Sequence, residues 1–319
     1  MARVAVSIIN YRTPDLTIAA ATSALAALDG HEGRVIVVDN ASADGSVEAL
    51  EAWIDSTRDP RLELVASDHN GGFSAGHNLG MQAAPEADYY LILNSDALLH
   101  PGFFAPLLAA AEANPKAGLI APQLEWENAE VQQNCFRFQT ITSEFIRAAE
   151  SGPVTRLFKH RVVALDLPHN PDDIEWASFA CILLRAEMVR AIGPMDEGYF
   201  LYFEDSEYSL RARRAGWHVA HEPAARAIHF RGGSGPVKTL AAAKKRMPGY
   251  FWRSRTRFFR QAYGPLGPLL ANTAWVAGRG VACLRLLTGR SIPPSNKAEW
   301  NDIWINLFTP LTPAPETRR

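Results

Sequence analysis

Carboxylates and amides cluster where short apolar segments end. Asp39 follows VIVV, Asn94 and Asp96 follow LIL, and Glu204 and Asp205 follow the aromatic run FLYF. Carboxylate oxygens hold hard cations such as Mg²⁺ and Mn²⁺, together with the phosphates of a bound nucleotide. A carboxylate in an apolar setting is also a stronger base, because burial raises its pKa, and such a base can remove a proton from a hydroxyl group. These residues indicate a site that combines a cation with a general base.

Each residue also has an ordinary structural explanation. Asp39 could cap a helix that begins near Ser42 instead of binding a nucleobase or a ribose. Asp96 could cap a helix after Pro101, and the two acids after FLYF could be first-turn acids favoured by a helix dipole. His229, taken alone, fits a packed core histidine as well as a metal ligand.

The first hundred residues alternate strand-like and helix-like segments. Strands are predicted in VAVSIINY, RVIVVDN, LELVAS and YYLILNSD, with helices between them, one of which begins near Pro14. This order predicts an α/β fold with a mostly parallel sheet and helices on both faces. Ligands bind such sheets at the carboxyl ends of the strands, where Asn10 and Tyr11 would join Asp39 and Asp96.

The segment NGGFSAGHN puts Gly71, Gly72 and Gly76 between a strand and a helix. Amides at a helix N-terminus could cradle a phosphate group there. The segment does not match G-x-G-x-x-G, and the chain contains no G-x-x-x-x-G-K-S/T motif. The motifs most typical of hydride transfer and of ATP hydrolysis are therefore missing from the sequence.

Residues 101–235 continue the pattern less regularly. AGLIAPQLEW is a predicted strand, residues 151–173 a surface excursion, and WASFACILLRAEMVRAIG a strand followed by a helix. HVAHEPAARAIHFRGGSG predicts a short strand pair. Cys135, Cys181 and Cys283 fit neither a disulfide nor a metal spacing and are expected to be buried free thiols. No secretory pattern opens the chain, so a cytoplasmic location is expected.

Charge is distributed unevenly along a chain whose net charge is −2. Residues 1–222 carry 31 acidic and 16 basic side chains, whereas residues 223–298 carry 14 Lys and Arg and no acid. A basic, aromatic tail suits an interfacial helix on an anionic membrane, and no nucleic-acid recognition motif accompanies it. A tail that packs on the core is the alternative. The tail aromatics used in this argument are Phe251, Trp252, Phe258, Phe259 and Trp275.

Taken in order, the segments VSIINY, VIVVDNASADGS, NGGFSAGHN, LILNSDALL, GPMDEGYFLYFEDSEYSLRARRAGW and IHFRGGS resemble glycosyltransferase family 2, specifically its rhamnosyltransferase-like branch. The resemblance covers residues 3–235. It implies a GT-A fold, a nucleotide-sugar donor, Mg²⁺ or Mn²⁺ as cofactor, and inversion at the anomeric carbon.

The resemblance also implies residue roles. Asp205 would be the general base, with Glu204 as its catalytic neighbour. Asp96 would take the position of the metal-binding acid of the family's D-x-D motif, and His229 would be a further metal ligand. The implied nucleotide-sugar-binding residues are Asn10, Tyr11, Asp39, Gly72, Asn78, Asn94 and Asp96. The implied acceptor-binding residues are Trp176, Tyr202 and Glu207.

Two positions depart from the pattern. Asn94 stands where the broad family has the first Asp of D-x-D, as is common in the rhamnosyl-type branch. Phe179 stands where the branch usually has glycine, which bears on the shape of the sugar or acceptor pocket.

The sequence thus predicts an inverting, metal-dependent glycosyltransferase that moves L-rhamnose from dTDP-rhamnose to a lipid-linked cell-surface glycan. UDP-sugars are the alternative donors, and a non-catalytic nucleotide-sugar-binding or scaffold subunit is the alternative function. Residues 1–235 would form the catalytic domain, with a nucleotide half to about residue 100 and an acceptor half after it. Residues 236–319 would form the tail, attached to the inner face of the cell membrane, with no nucleic-acid partner.

Overall fold

The computed structural model describes residues 2–230, 237–289 and 291–312, so the RGGS part of IHFRGGS lies outside the described residues. The described strands are β1 (Arg3–Asn10), β2 (Glu32–Asp39), β3 (Leu62–Ala66), β4 (Tyr89–Asn94), β5 (Ala97–Leu99), β6 (Ala117–Glu125), β7 (Cys135–Phe136), β8 (Trp176–Ala177), β9 (Cys181–Arg185) and β10 (His218–His229).

Helices separate most of these strands. They are α1 (Pro14–Ala27), α2 (Ser46–Thr57), α3 (Gly72–Gln82), α4 (Phe104–Ala113), α5 (Ile141–Ala149), α6 (Gly152–Leu157), α7 (Ala186–Ile192), α8 (Glu204–Arg214), α9 (Val237–Ala242), α10 (Gly249–Tyr263), α11 (Gly267–Cys283) and α12 (Glu299–Asp302). Short 3₁₀ turns lie at Lys159–Arg161, Pro171–Asp173 and Leu284–Thr288.

The main sheet has eight strands in the order β3-β2-β1-β4-β9-β6-β10-β5. Strands β1 to β4 pair in parallel, whereas β9 and β5 run antiparallel to their neighbours. The remaining strands, β7 and β8, form a small separate sheet. The prediction of a mostly parallel α/β sheet is therefore confirmed.

Strand β2 illustrates why the sheet is covered on both faces. Its side chains alternate, so Val35 and Val37 join the core cluster on one face and Ile36 and Val38 join the cluster on the other. All four are fully buried. A continuous Val/Ile run of this kind is stable only between two layers of helices, here including α1 on one side and α3 on the other.

Two local predictions were wrong. HVAHEPAARAIH is one 12-residue strand, β10, because the residues between Glu222 and Arg226 form a bulge and pairing with β6 resumes after it. Cys135 and Cys181 are buried as predicted, but Cys283 is exposed because it lies at the outward side of the end of α11.

The tail packs on the body formed by the preceding residues. Trp252, Phe258, Phe259 and Trp275 are buried, and Phe251 is half-buried against neighbouring rings. These aromatics cannot also contact a membrane, so this part of the tail prediction was wrong. The favourable burial of large apolar rings against the body accounts for their position.

Several tail arginines also face inward. Arg255 forms a buried ion pair with Glu144 at 2.9 Å, and Arg257 pairs with Asp196 at 2.8 Å. The basic surplus of the tail is thus used in part against acids of residues 1–222. No helix among the described residues is long and apolar enough to cross a membrane.

Candidate active site

The ends of β1 and β2 meet in a buried polar corner. Asn10 and Asp39 are direct partners in the parallel register, and the Asn10 amide donates to Asp39 Oδ1 at 2.7 Å. The Ser42 hydroxyl donates to the same oxygen at 2.6 Å, and its backbone amide donates to Asp39 Oδ2 at 3.0 Å. Asp39 is fully buried. Three of the four hydrogen bonds that a carboxylate can accept are therefore made within the protein.

The contacts in this corner also show that Asp39 is not a helix cap. Helix α2 begins at Ser46, four residues after Ser42, so Asp39 fixes the loop rather than capping the helix. Tyr11 lies next to the corner with 41% of its surface exposed, and the Arg12 guanidinium lies 5.2 Å from its ring centroid. An exposed ring beside a buried amide and carboxylate could stack on a nucleobase.

The glycine segment serves packing rather than an open phosphate cradle. Gly72 has a φ of +83°, and a Cβ atom there would lie 2.1 Å from the Phe200 carbonyl oxygen. The Gly72 amide donates to Asn70, and the Phe73 amide donates to that Phe200 carbonyl. Gly72 thus lets the start of α3 approach the segment before α8.

Asp96 and His229 are brought together by strand pairing. β5 pairs antiparallel with β10, so Ala97, next to Asp96, lies opposite His229. His229 Nε2 is 3.5 Å from Asp96 Oδ1, and both side chains are buried. Asp96 does not cap the following helix, which begins only at Phe104. A carboxylate and an imidazole at this spacing suit a shared divalent cation that keeps its other positions for phosphate and water.

The aromatic run FLYF ends in a strained turn that aims the first residues of α8. Tyr202 and Phe203 both have a φ of +70°, which is costly for bulky side chains. The turn is held by α10, because Phe203 packs on Phe251 and Phe258 and the Ser254 hydroxyl donates to the Leu201 carbonyl at 3.1 Å. Strain maintained by surrounding packing is typical of functional sites.

Tyr202 connects the two halves of the site. Burial raises the pKa of its hydroxyl, and electrostatic interactions with Tyr250, Glu204, Asp205 and Asp96 raise this pKa further. All three carboxylates therefore lie within electrostatic reach of one ring. The candidate base and the candidate metal ligand occupy the same region of the molecule.

Glu204 and Asp205 differ in their surroundings. Glu204 is buried, and desolvation together with the neighbouring Asp205 raises its pKa well above the usual value. Asp205 is half-buried and accepts a hydrogen bond from the Ser206 amide at 2.8 Å. Neighbouring carboxylates in unlike environments separate into one that keeps its proton and one that ionises. Of the two, Glu204 is the carboxyl whose pKa burial raises.

We expect Glu204→Gln to remove a pH dependence of stability. The folded state holds the Glu204 proton more tightly than the unfolded chain does, so the wild-type free energy of unfolding falls as pH rises above about 4.5. Each unit by which the pKa is higher in the folded state than in the unfolded chain corresponds to about 1.4 kcal/mol in the free energy of unfolding. The free energy of unfolding, measured with denaturant at pH 5 and pH 8, should fall less between the two pH values for Glu204→Gln than for the wild type. The two falls should differ by about 1.4 kcal/mol or more. Glu187→Gln, an exposed first-turn acid in α7, should leave the fall unchanged; equal falls in all three proteins would contradict the assignment.

Four other positions considered from the sequence are occupied by packing contacts. Asn78 binds the Met195 backbone and Glu197 at 2.9 to 3.0 Å, and Glu207 forms a two-pronged ion pair with Arg211 at 3.0 and 3.1 Å. The Trp176 indole donates to the Arg137 carbonyl and stacks on Phe136. Phe179 packs in the core beside Tyr208, so its ring fills space under α8. None of these contacts points directly at a ligand.

Sequence reasoning missed several residues that complete the corner. Ser42 bridges Asn10 and Asp39, and the Thr13 and Ser95 hydroxyls lie 3.5 Å apart, connecting the ends of β1 and β4. Asn94, which ends β4, is half-buried beside them. The only signal for Thr13 and Ser95 was their position after strand ends, which many surface residues share.

A cavity of about 440 Å³ lies beside the FLYF turn. Its lining includes Gln139, Val163, Phe203, Phe251, Trp252 and Arg255. Apolar walls with a few polar groups are typical of small-molecule sites.

Known proteins resemble this chain in sequence and in fold. Residues 5–152 match the family described as Glycosyl transferase family 2. An N-acetylglucosaminyl-diphospho-decaprenol L-rhamnosyltransferase of Mycobacterium tuberculosis is 27% identical over 229 residues, covering 66% of this chain and 72% of the relative. Rhamnosyltransferase WbbL of Escherichia coli is 24% identical over 220 residues, covering 63% and 80% of the two chains.

A solved structure supports the fold alone. The mannosyltransferase from Pyrobaculum calidifontis, in complex with GDP-Man and Mn²⁺, has a TM-score of 0.55 and 16% identity, covering 97% of this chain and 84% of that chain. The fold is GT-A, as the family resemblance implied. The family match and the likeness to these rhamnosyltransferases support the resemblance to glycosyltransferase family 2 that the motifs indicated.

Proposed function

We propose that the chain transfers L-rhamnose from dTDP-rhamnose to a lipid-linked glycan acceptor, with inversion at the anomeric carbon. The observation that carries the proposal is that Asp96, Glu204 and Asp205 all lie within electrostatic reach of Tyr202. Asp96 is also paired with His229. The rhamnosyltransferases among the relatives support the sugar, and the decaprenol-linked substrate in one relative's name supports the acceptor class.

The donor would bind across the carboxyl ends of β1, β2 and β4. Tyr11 offers an exposed ring for the base, while Asn10 and Asp39 form the polar floor beneath it. Asn94 and Asp96 would line the path of the diphosphate. Gly72 and Asn78 have structural contacts of their own, so we propose that they shape this region without touching the donor.

Asp96 and His229 would hold Mg²⁺ or Mn²⁺. The fit rests on the donor set, one carboxylate and one imidazole 3.5 Å apart in a buried position that leaves other coordination positions to phosphate and water. A cation bound there would offset negative charge on the departing nucleoside diphosphate. The neighbour solved with Mn²⁺ is consistent with this choice of ion.

Asp205 would act as the general base. It lies in the first turn of α8 and is more exposed than Glu204. Asp205 takes the proton of the acceptor hydroxyl as the oxygen bonds to the anomeric carbon and the bond to the diphosphate breaks. Glu204, which retains its proton, would hold the acid pair at a single negative charge and could donate a hydrogen bond.

The acceptor would enter past Tyr202 and the adjacent cavity. The cavity walls from Phe203, Phe251 and Trp252 suit the apolar part of a lipid-linked substrate, and Arg161 adds positive charge. Trp176 and Glu207 contact Arg137 and Arg211 and are not among the residues that line this cavity. The proposed catalytic domain ends near residue 235, but its site would also depend on α10, which lies after that boundary.

A donor panel tests the proposed function. The purified chain is incubated with a lipid-linked N-acetylglucosamine diphosphate and with dTDP-rhamnose, UDP-glucose or GDP-mannose, and the lipid product is weighed by mass spectrometry. We expect added rhamnose with dTDP-rhamnose and little product with the other two. Efficient transfer of another sugar would refute the donor, and donor binding without any transfer would favour the non-catalytic alternative.

We further propose that the chain attaches to the inner membrane surface through the outer face of α11. The exposed side chains of residues 266–287 that the structure describes are apolar or small, and none is charged. They include Leu266, Leu269, Leu270, Val276, Leu284 and Leu287. A helix with one uniformly apolar face suits a membrane interface, and this stripe replaces the buried aromatics as the basis for the proposal.

Leu269→Glu is expected to weaken vesicle binding by about tenfold or more, because burying one leucine contributes about 1.5–3 kcal/mol. The measurement uses a polarity-sensitive fluorophore on Cys283, the exposed thiol on this face, titrated with phosphatidylglycerol vesicles. Leu157→Glu changes an exposed leucine on the surface excursion and should have no effect. Equal binding by Leu269→Glu and the wild type would overturn the membrane assignment.

A further inference from the structure

A thiol and two imidazoles converge away from the proposed sugar site. One ligand atom from each of Cys135, His169 and His221 lies within 4.8 Å of the other two, and the two imidazole centroids are 4.8 Å apart. Cys135 belongs to β7, His221 to β10, and His169 to the surface excursion of residues 151–173. Their separation along the chain explains why no metal-ligand spacing was recognised in the sequence.

The two imidazoles lack ordinary partners. Both ring nitrogens of His169 and Nε2 of His221 are buried and have no hydrogen-bond partner among the described residues. Apolar side chains, including Leu165 and Ile174, share the core cluster that contains Cys135. Buried polar atoms without partners are uncommon in folded proteins, and several at one point indicate a ligand.

We propose that Cys135, His169 and His221 bind Zn²⁺. A thiolate and two neutral imidazoles are ligands that Zn²⁺ favours and that Mg²⁺ does not. Tetrahedral coordination at ordinary Zn–N and Zn–S lengths puts ligand atoms roughly 3.3–3.6 Å apart. Side-chain movements of about 1 Å would bring the three ligand atoms from within 4.8 Å of one another to these distances. The Cys135 thiol gives its proton to solvent as the sulfur–zinc bond forms, releasing one proton per ion.

The ionisation states agree with this role. Burial lowers the pKa of His221 to about 4, and it lowers the pKa of His169 as well, so both rings are neutral at pH 7. Burial raises the pKa of the Cys135 thiol to about 12, so the thiol stays protonated until a cation displaces the proton. Zinc affinity should therefore rise with pH.

This site is separate from the Asp96 and His229 pair. His221 lies opposite Ala121 of β6, whereas Ile228, next to His229, lies opposite Glu125. Four steps along β6 correspond to roughly 13 Å. A zinc ion at Cys135 would fasten the 151–173 excursion to β7 and β10, on the side of the molecule where the excursion would otherwise be held by few buried groups.

Zinc content and spectroscopy test the proposal directly. The full chain is stripped with a chelator and titrated with Zn²⁺ alone. We expect one ion per chain, a rise in melting temperature, and, with Co²⁺ in its place, tetrahedral ligand-field bands with thiolate charge transfer. Cys135→Ser, His169→Gln and His221→Gln should each weaken binding by more than the roughly 10- to 100-fold that outer-sphere partners contribute.

Matched variants separate this site from others. Cys283→Ser removes an exposed thiol, His160→Gln an exposed imidazole of the same excursion, and His229→Gln the proposed sugar-site ligand; all three should keep full zinc binding. If Cys135→Ser fails to fold, His169→Gln, on the half-buried excursion, decides the question. Binding far below one ion per chain, or full binding by His169→Gln, would overturn the proposal whatever the transfer activity.

Discussion

Asp205→Asn is expected to abolish sugar transfer, lowering kcat by roughly 10²–10⁴-fold, the contribution usually made by a positioned general base. The amide keeps the size of the side chain and can still occupy the start of α8, but it cannot accept the acceptor proton. The donor affinity of Asp205→Asn should stay within about twofold of the wild-type value, because Asn10 and Asp39, which form the donor corner, lie on β1 and β2 and not on α8. Single-turnover transfer assays and calorimetry with the nucleotide measure the two quantities separately.

The control for this prediction is Glu187→Gln. Glu187 is an exposed acid in the first turn of α7, which follows β9 and begins at the opposite edge of the sheet because β9 runs antiparallel to β4. The substitution therefore changes a comparable helix-start carboxylate outside the site, and transfer should be unaffected. If Asp205→Asn retains wild-type turnover, the base must be sought elsewhere around Tyr202.

Asp96→Ala has the second large expected effect, on cation-linked binding and on turnover. In Mn²⁺ the affinity for the nucleoside diphosphate should fall to the level that the wild type shows in a chelator. Transfer should fall by about 100-fold or more, because a bound cation contributes several kcal/mol to charge stabilisation. His229→Gln should lower both quantities in the same direction. Calorimetry with and without Mn²⁺ provides the comparison.

A second histidine supplies the matched control. His100 Nε2 lies 3.5 Å from Glu125 Oε2, the same spacing as in the His229 and Asp96 pair. His100→Gln should leave cation-linked nucleotide binding at the wild-type level. Unchanged binding in Asp96→Ala and His229→Gln would show that the cation, if one is used, binds elsewhere.

The sheet and its polar edge could be predicted because their causes are local. The side chains of VIVV point alternately to two faces, and all four are apolar, so the strand must be covered on both sides. The parallel order then places the carboxyl ends of such strands at the same edge of the sheet. Asn10 and Asp39 were therefore expected near each other, and they are hydrogen-bonded. The pairing of Asp96 with His229 followed from the family resemblance, whereas its physical basis, β5 beside β10, became visible only in the sheet.

Other features depend on contacts that no local pattern encodes. The sequence did not show that Asn78 holds the segment before α8 or that Glu207 pairs with Arg211. The tail aromatics looked suited to a membrane because the sequence does not show that α10 lies against Phe203. The cluster of Cys135 with two distant histidines is likewise a product of tertiary packing.

The anomeric configuration of the product tests the central proposal most directly. Purified chain, lipid-linked acceptor and dTDP-rhamnose are incubated in Mn²⁺, and the new glycosidic bond is assigned by NMR of the isolated product. Direct displacement with Asp205 as base predicts a rhamnosyl product whose anomeric configuration is opposite to that of the donor. It also predicts a rate of product formation by Asp205→Asn that is lower by roughly 10²-fold or more. Retention of configuration, or the absence of rhamnosyl transfer by the wild-type chain, would contradict the proposed mechanism.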